Sequence, residues 1–414
     1  MKKINEKLGI PEGIETQGEK IYKEILKNLN NIEIPEDLNE PIELGKFDIK
    51  IKDMELNDIP FVLFLNELSD INEPVLVNLG YSTSDDVVYK DNLLKFDRDI
   101  STSLLQINIV VPSNVKKDDI ISTINKELKS SSVIHELMHL YKFYKYMDGS
   151  ISKCAVYQSY QRVRLGKDIA EFMYLLYYMF DFENEVRPSE LYKNLLDDNV
   201  TKDNFLKYMN SSEMMKTIEK ARTFSLDKLK NNIDADEEAH EFLEHVSKQG
   251  YEKIEGSVAD NILNITFINM ANNLLDFTRS TLNNYLSKDY GILDFLIDSI
   301  SGETSKEQKE KEERANNFYH KIANSYKNYE KNPQKYFEKL EKSLNLAGEK
   351  MKRKLFKLYD MLKDSEKTKS DSVLNWDLHT RISSKNETIK YVLNFEDFKF
   401  KKSSKKPNKR NFKK

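Results

Sequence analysis

The stretch "SSVIHELMHLYKFYKY" (131–146) places His135 and His139 four residues apart, with Glu136 directly after the first. On a helix, residues four apart share a face, one turn above the other. Two imidazole nitrogens can therefore reach one divalent ion. Glu136 is turned about 100° from His135. It lies beside such an ion and is poised to hold a water, not to ligate. This is the spacing a zinc hydrolase uses. Zinc lowers the pKa of a water it holds to about 7. Glu136 is then the base that takes that water's proton and passes it to the leaving amine. With only six histidines in 414 residues, the pair is not a by-product of histidine abundance.

A catalytic zinc site needs three protein ligands and an open position, so one ligand must come from elsewhere. The other histidines do not offer it. "AHEFLEH" (239–245) holds His240, Glu241, Glu244 and His245. It has one residue too many for the inverted motif H-x-x-E-H, and histidines five apart diverge around a helix. It reads as a charged helix face. His320 and His379 have no recognisable partners. Cys154, the single cysteine, has no evident base and reads as packing.

The elements that must position these groups are legible from periodicity. "LGKFDIKIKDMEL" alternates at Phe47, Ile49 and Ile51, the period of a half-buried strand. "IPFVLFLNEL", "EPVLVNLGYST" and "SLLQINIVVPS" are strand-like, so 44–113 should form a small sheet. Ile120, Ile121, Ile124 and Leu128 then fall on one helical face. Serines 130–132 separate that helix from the histidine helix and cap the latter. Asp148-Gly149 supplies its stop. From 153 to about 301 nearly everything reads helical, including one long helix over 166–187. "PSELYKNLLDD" opens another with Pro188 at its first position. Further helices are expected near 203–231, 235–249 and 257–288. A charged amphipathic stretch over 304–366, interrupted at Pro333, predicts a helical hairpin. "ETIKYVLNFEDFKF" predicts a strand through Ile389, Tyr391, Leu393 and Phe395.

The expected fold is α+β and mostly α: a small N-terminal mixed sheet packed on the active-site helix, then a helical subdomain and a charged helical extension. The divisions are a lead-in over 1–43, a sheet-bearing part over 44–130, the active-site helix and helical subdomain over 131–301, a charged hairpin plus strand over 302–398, and a basic disordered tail over 399–414. Scarce glycine and proline (12 and 9) agree with long helices.

One cysteine excludes an intramolecular disulfide and fits a reducing compartment. The N-terminus has no apolar signal-peptide core. The longest apolar run, "FMYLLYYMF" (172–180), is about half of a membrane span. A cytoplasmic or virion location is therefore expected, with no membrane partner. The bias to Lys, Asn and Ile hints at an AT-rich, for example viral, genome. The last sixteen residues carry nine Lys/Arg and no acid, on an otherwise acidic body. Nucleic acid could be met only through that tail.

On the motif His135-Glu136-x-x-His139, set in a helix downstream of strands, the chain resembles the zincin metallopeptidases over about residues 100–190. The resemblance implies a zinc-dependent metalloendopeptidase, with protein or peptide substrates and self-cleavage as a related event. His135 and His139 match the zinc ligands and Glu136 the general base. It also implies an edge strand that pairs with extended substrate, matched by "SLLQINIVVPS". The third histidine of the metzincin branch is missing. Asn184-Glu185 in "YYMFDFENEVRPSE" instead resembles the gluzincin pair, making Glu185 the expected third ligand. Asp181, one turn earlier, is the candidate to orient a ligand histidine. Glu183 is the rival, two residues away and on a different side. Pro188 departs from the pattern, since it disfavours helix at Arg187. Tyr157, Tyr160 and Arg187 are candidates for stabilising an oxyanion. The competing reading is a non-catalytic structural or binding protein, such as a particle component, on a zincin-like fold.

Overall fold

Alternating apolar residues make the strands. β1 (Ile42–Ile51) buries Ile42, Leu44, Phe47, Ile49 and Ile51 and turns into β2 (Met54–Glu67). β3 (Val75–Lys90) and β4 (Leu93–Val111) complete a four-stranded sheet of order β1-β2-β4-β3. β2 runs parallel to β4, and the other two pairings are antiparallel. The computed structural model describes residues 10–362 apart from 36, 39, 70, 91, 147–149, 164 and 288–305. The expected strand through Ile389, the histidine at 379, the basic tail and the Asp148-Gly149 stop lie outside the described residues.

Two expectations about the sheet change. The strand matched to the substrate edge, "SLLQINIVVPS", is β4, and it is hydrogen-bonded on both sides; the edge strand beside it is β3. β3 and β4 also run on past Ser82 and Ser103 as a two-stranded ribbon, pairing Asp86 with Asp97 and Lys90 with Leu93. Its apolar residues fall in short runs, Val87-Val88-Tyr89 and Leu93-Leu94, and this lack of alternation hid the extension from periodicity. At its far end Val87 and Leu94 pack with Ile151, Leu282 and Tyr285, while the Arg314 guanidinium lies 4.3 Å from the centre of the Tyr89 ring.

The remainder is helical: α1 (Ile14–Leu29), α2 (Lys117–Glu127), α3 (Ser130–Tyr146), α4 (Ile151–Gln161), α5 (Gly166–Tyr178) and α6 (Asp181–Asp197). These are followed by α7 (Phe205–Ser211), α8 (Glu213–Arg222), α9 (Leu226–Ala235), α10 (Glu237–Lys248), α11 (Val258–Ser287), α12 (Lys306–Glu330) and α13 (Pro333–Phe356). The fold is α+β, mostly α, with a small mixed sheet. Among the described residues no helix is long and apolar enough to cross a membrane.

α3 carries the histidines and is buried on nearly every side by Val133, Ile134, Leu137, Met138, Leu140 and Tyr141. It is crossed by α1 at Gly18, where a Cβ would stand 2.4 Å from Ile134 Cγ1. The absence of a side chain there sets how near the two helices come. The C-terminal hairpin α12–α13 joins the same core, through Ile322, Phe337, Leu340, Leu344 and Met351. Pro333 opens α13, and the Asn332 side chain caps it by accepting from the Lys335 amide.

The helix expected over 166–187 is two helices. α5 ends at Tyr178, Phe180 is extended, and α6 begins at Asp181. Pro188 therefore lies inside α6 and neither ends one helix nor opens another. Proline has no amide for the carbonyl four residues back, which is that of Asn184. Lys354 of α13 supplies the donor instead, its Nζ 3.3 Å from Asn184 O.

Candidate metal centre

Four residues apart on α3, His135 and His139 turn their Nε2 atoms toward each other at 3.1 Å. Both are buried, 7% and 6% exposed. The first turn of α6 brings Glu183, 2% exposed, against them. Its Oε2 is 3.3 Å from His135 Nε2 and its Oε1 is 3.4 Å from His139 Nε2. A carboxylate in a first turn is favoured by the positive end of the helix dipole.

These distances suit a metal ion. Tetrahedral zinc, with bonds of about 2.0–2.1 Å, sets neighbouring ligand atoms about 3.3–3.4 Å apart. Two imidazole lone pairs at 3.1 Å also need a proton or a cation between them. His135, His139 and Glu183 form a buried group able to hold a metal ion.

Glu185, the expected third ligand, is not part of this group. It lies two residues on from Glu183, about 200° around the helix. Its side chain is half exposed and pairs with Lys142 at 3.0 Å. Asp181 is exposed at the first position of α6. The role expected of it falls to Glu190, whose Oε2 lies 3.0 Å from His135 Nδ1. That contact holds the ring with Nδ1 on Glu190 and Nε2 turned toward His139 and Glu183, the arrangement in which Nε2 of a neutral imidazole would serve as the ligand.

Arg187 joins the two acids. Its Nη2 donates to Glu183 Oε2 at 3.0 Å and its Nη1 to Glu190 Oε2 at 2.8 Å. The guanidinium carbon sits 4.2 Å from the centre of the Tyr178 ring. Tyr177 donates to Glu183 Oε1 at 2.9 Å, so each oxygen of Glu183 is held from outside the histidine pair. Tyr157, in ring contact with Tyr177 and Phe182, borders the group. Tyr160 is instead buried with Tyr326 and Tyr336 in the core.

Glu136 sits beside this cluster, its Oε1 3.9 Å from His135 Nε2. Burial pushes its carboxyl up to about 7. Burial opposes protonation of His135, but Glu183 and Glu190 outweigh it and raise the imidazole to about 9. Burial lowers His139. Glu183 stays well below the usual carboxylate range, because the two histidines outweigh its own desolvation. Glu190 falls to about 2, since His135 and Arg187 likewise overcome burial.

Aromatic rings wall the His139 side. Tyr81, on the edge strand β3, stacks on His139 at 6.3 Å, and Phe182 is 5.5 Å away. The remaining histidines of the described residues are elsewhere: exposed His240 bonds to Asp234 O, exposed His245 meets Gln249, and His320 is exposed. Glu183, Arg187 and Glu190 share one face of α6 at spacings of four and three. An acidic first turn after the apolar run, Asp181 and Glu183, was the available sequence signal for the helix start that puts Glu183 there. No protein-family model, no curated protein and no solved structure matches this chain.

Proposed function

We propose that the chain is a zinc-dependent metallopeptidase with His135, His139 and Glu183 as the ligand set and Glu136 as general base. The observation that carries this reading is the buried convergence of two Nε2 atoms and one carboxylate, with a second carboxylate alongside.

Zinc in that position supplies a Lewis acid for a peptide carbonyl and lowers the pKa of water to about 7. The protein's own groups account for the rest. Glu136 accepts a proton from the attacking water at its carboxylate and returns it to the departing amine nitrogen as the C–N bond breaks. Glu190 lies at His135 Nδ1 and orients the ring so that Nε2 faces Glu183 and His139. Tyr177 and Arg187 hold the two oxygens of Glu183 in place. Among the described residues β3 ends the sheet beside His139, the place for an extended peptide to add as a further strand.

The rival reading is a metal-free ion network in a non-catalytic binding protein. Arg187 and a protonated His135 could balance Glu183 and Glu190 without any ion. Metal analysis of the purified chain, paired with a peptide-hydrolysis assay, separates the two. About one zinc per chain is expected, with Glu136→Gln retaining metal and losing hydrolysis. Absence of metal after zinc loading, or hydrolysis by Glu136→Gln at the wild-type rate, would overturn the peptidase reading.

A further inference from the structure

Two carboxylates on one face of α6 could each serve His135. Glu183 lies at its Nε2 and Glu190 at its Nδ1. The group between them is Arg187, with one amino group on each acid and the Tyr178 ring beneath it. Its Nε is buried without a hydrogen-bond partner, so the two carboxylates and the ring hold it. We infer that Arg187 is a positioning residue that assigns these acids their separate roles, Glu183 to the metal and Glu190 to the far side of the imidazole. The inference rests on the proposed metal site.

The geometry makes this more than charge balance. A guanidinium is a rigid planar fork, and its two amino groups fix the separation of two acceptors. Glu183 and Glu190 are seven residues apart on α6, about two turns, and Arg187 stands between them. Without the fork, the Glu183 oxygen nearer His135 loses its outer donor, and Glu190 is free to turn from Nδ1. An ammonium at the same position keeps the charge but is a point donor that cannot set that spacing.

Charge and position act on metal affinity with opposite sign. A cation beside the site repels a divalent ion, so a purely electrostatic Arg187 would weaken zinc binding and its removal would strengthen it. A positioning Arg187 does the reverse. Outer partners of metal ligands are commonly worth about 10–100-fold in affinity.

The test is zinc affinity of the full chain by chelator competition, together with the visible absorption of the cobalt(II)-substituted protein. Wild type and the variants Arg187→Met and Arg187→Lys would be compared. Positioning predicts weaker zinc by about 10–100-fold in both variants and an altered cobalt spectrum. Zinc bound as tightly as wild type, or more tightly, by Arg187→Met would overturn it. Should Arg187→Met not fold, Arg187→Lys decides: wild-type affinity and spectrum would overturn the inference equally. A wild-type chain that takes up no zinc refutes the metal site itself, which is a separate outcome.

Discussion

Lys354 Nζ lies 3.3 Å from the carbonyl oxygen of Asn184, the acceptor that Pro188 leaves without an amide. The ammonium is partly buried, and burial lowers its pKa to about 8, with Lys142, Lys350 and Lys357 adding to the shift and Glu185 opposing it. A folded-state pKa below the unfolded 10.5 means that the unfolded chain binds the extra proton between these values. Stability therefore rises as pH climbs from about 8 to 10.5, and the cost of the charge is fully present below 8.

That cost is at most about 3 kcal/mol from the shift, and about half of that for a partly solvated group. The hydrogen bond to Asn184 O returns about 1 kcal/mol. Lys354→Met should therefore match wild type to within about 1 kcal/mol at pH 7. Wild type should then gain about 1–2 kcal/mol relative to it by pH 10.5. Urea unfolding of both proteins across pH 7–10.5 measures the difference. Parallel pH profiles would mean that Lys354 is not titrating there.

Glu183 and Glu185 are two residues apart and should behave as unrelated groups. Glu183→Gln is expected to weaken zinc by more than about 100-fold, the loss of a ligand exceeding that of an outer partner. Glu185→Gln, which gives up only a half-exposed pair with Lys142, should stay within about threefold, since such pairs are worth about 0–1 kcal/mol. Competition against a fluorescent zinc chelator reads both. Equal losses would argue against this assignment of the third ligand.

Gly18→Ala sets two known effects against each other. Alanine gains about 1 kcal/mol of helix propensity. Its methyl would stand 2.4 Å from Ile134 Cγ1, next to His135, and overpacking typically costs about 1–3 kcal/mol. Overpacking should win, with a net loss of up to about 2 kcal/mol in chemical denaturation. Zinc affinity should fall with it, because α3 must move. A stabilised Gly18→Ala would show that α1 shifts freely.

Metal should stabilise the fold measurably. Free zinc at a hundred times its Kd adds about 2.7 kcal/mol, a rise of about 2–4 °C or more in Tm for a chain of this size. His139→Ala should abolish that rise. Thermal melts with added zinc and with chelator provide the comparison.

The histidine pair was readable because its chemistry needs only one helix and a fixed spacing. The four strands and the C-terminal hairpin were readable where apolar periodicity or Pro333 marked them. Glu183 was passed over because the break between Tyr178 and Asp181 has no glycine or proline and no side-chain cap. The resemblance of Asn184-Glu185 to the gluzincin pair then ranked the acid at 185 above its rival at 183. Pro188 then misled, because its missing hydrogen bond is repaired by Lys354, a residue 166 positions later that no local pattern could supply. The ribbon beyond Ser82 stayed hidden because its apolar residues come in short runs, Val87-Val88-Tyr89 and Leu93-Leu94, and do not alternate.

That long-range repair bears on how the molecule is made. α3 and α6 leave the ribosome early, yet the lysine that completes the backbone of α6 is translated more than a hundred and fifty residues after it. A nascent chain halted before α13 would hold both imidazoles on α3, but Glu183 on a helix whose proline step is still unsupported. The apolar core that α6 shares with α13 should therefore close only late in synthesis.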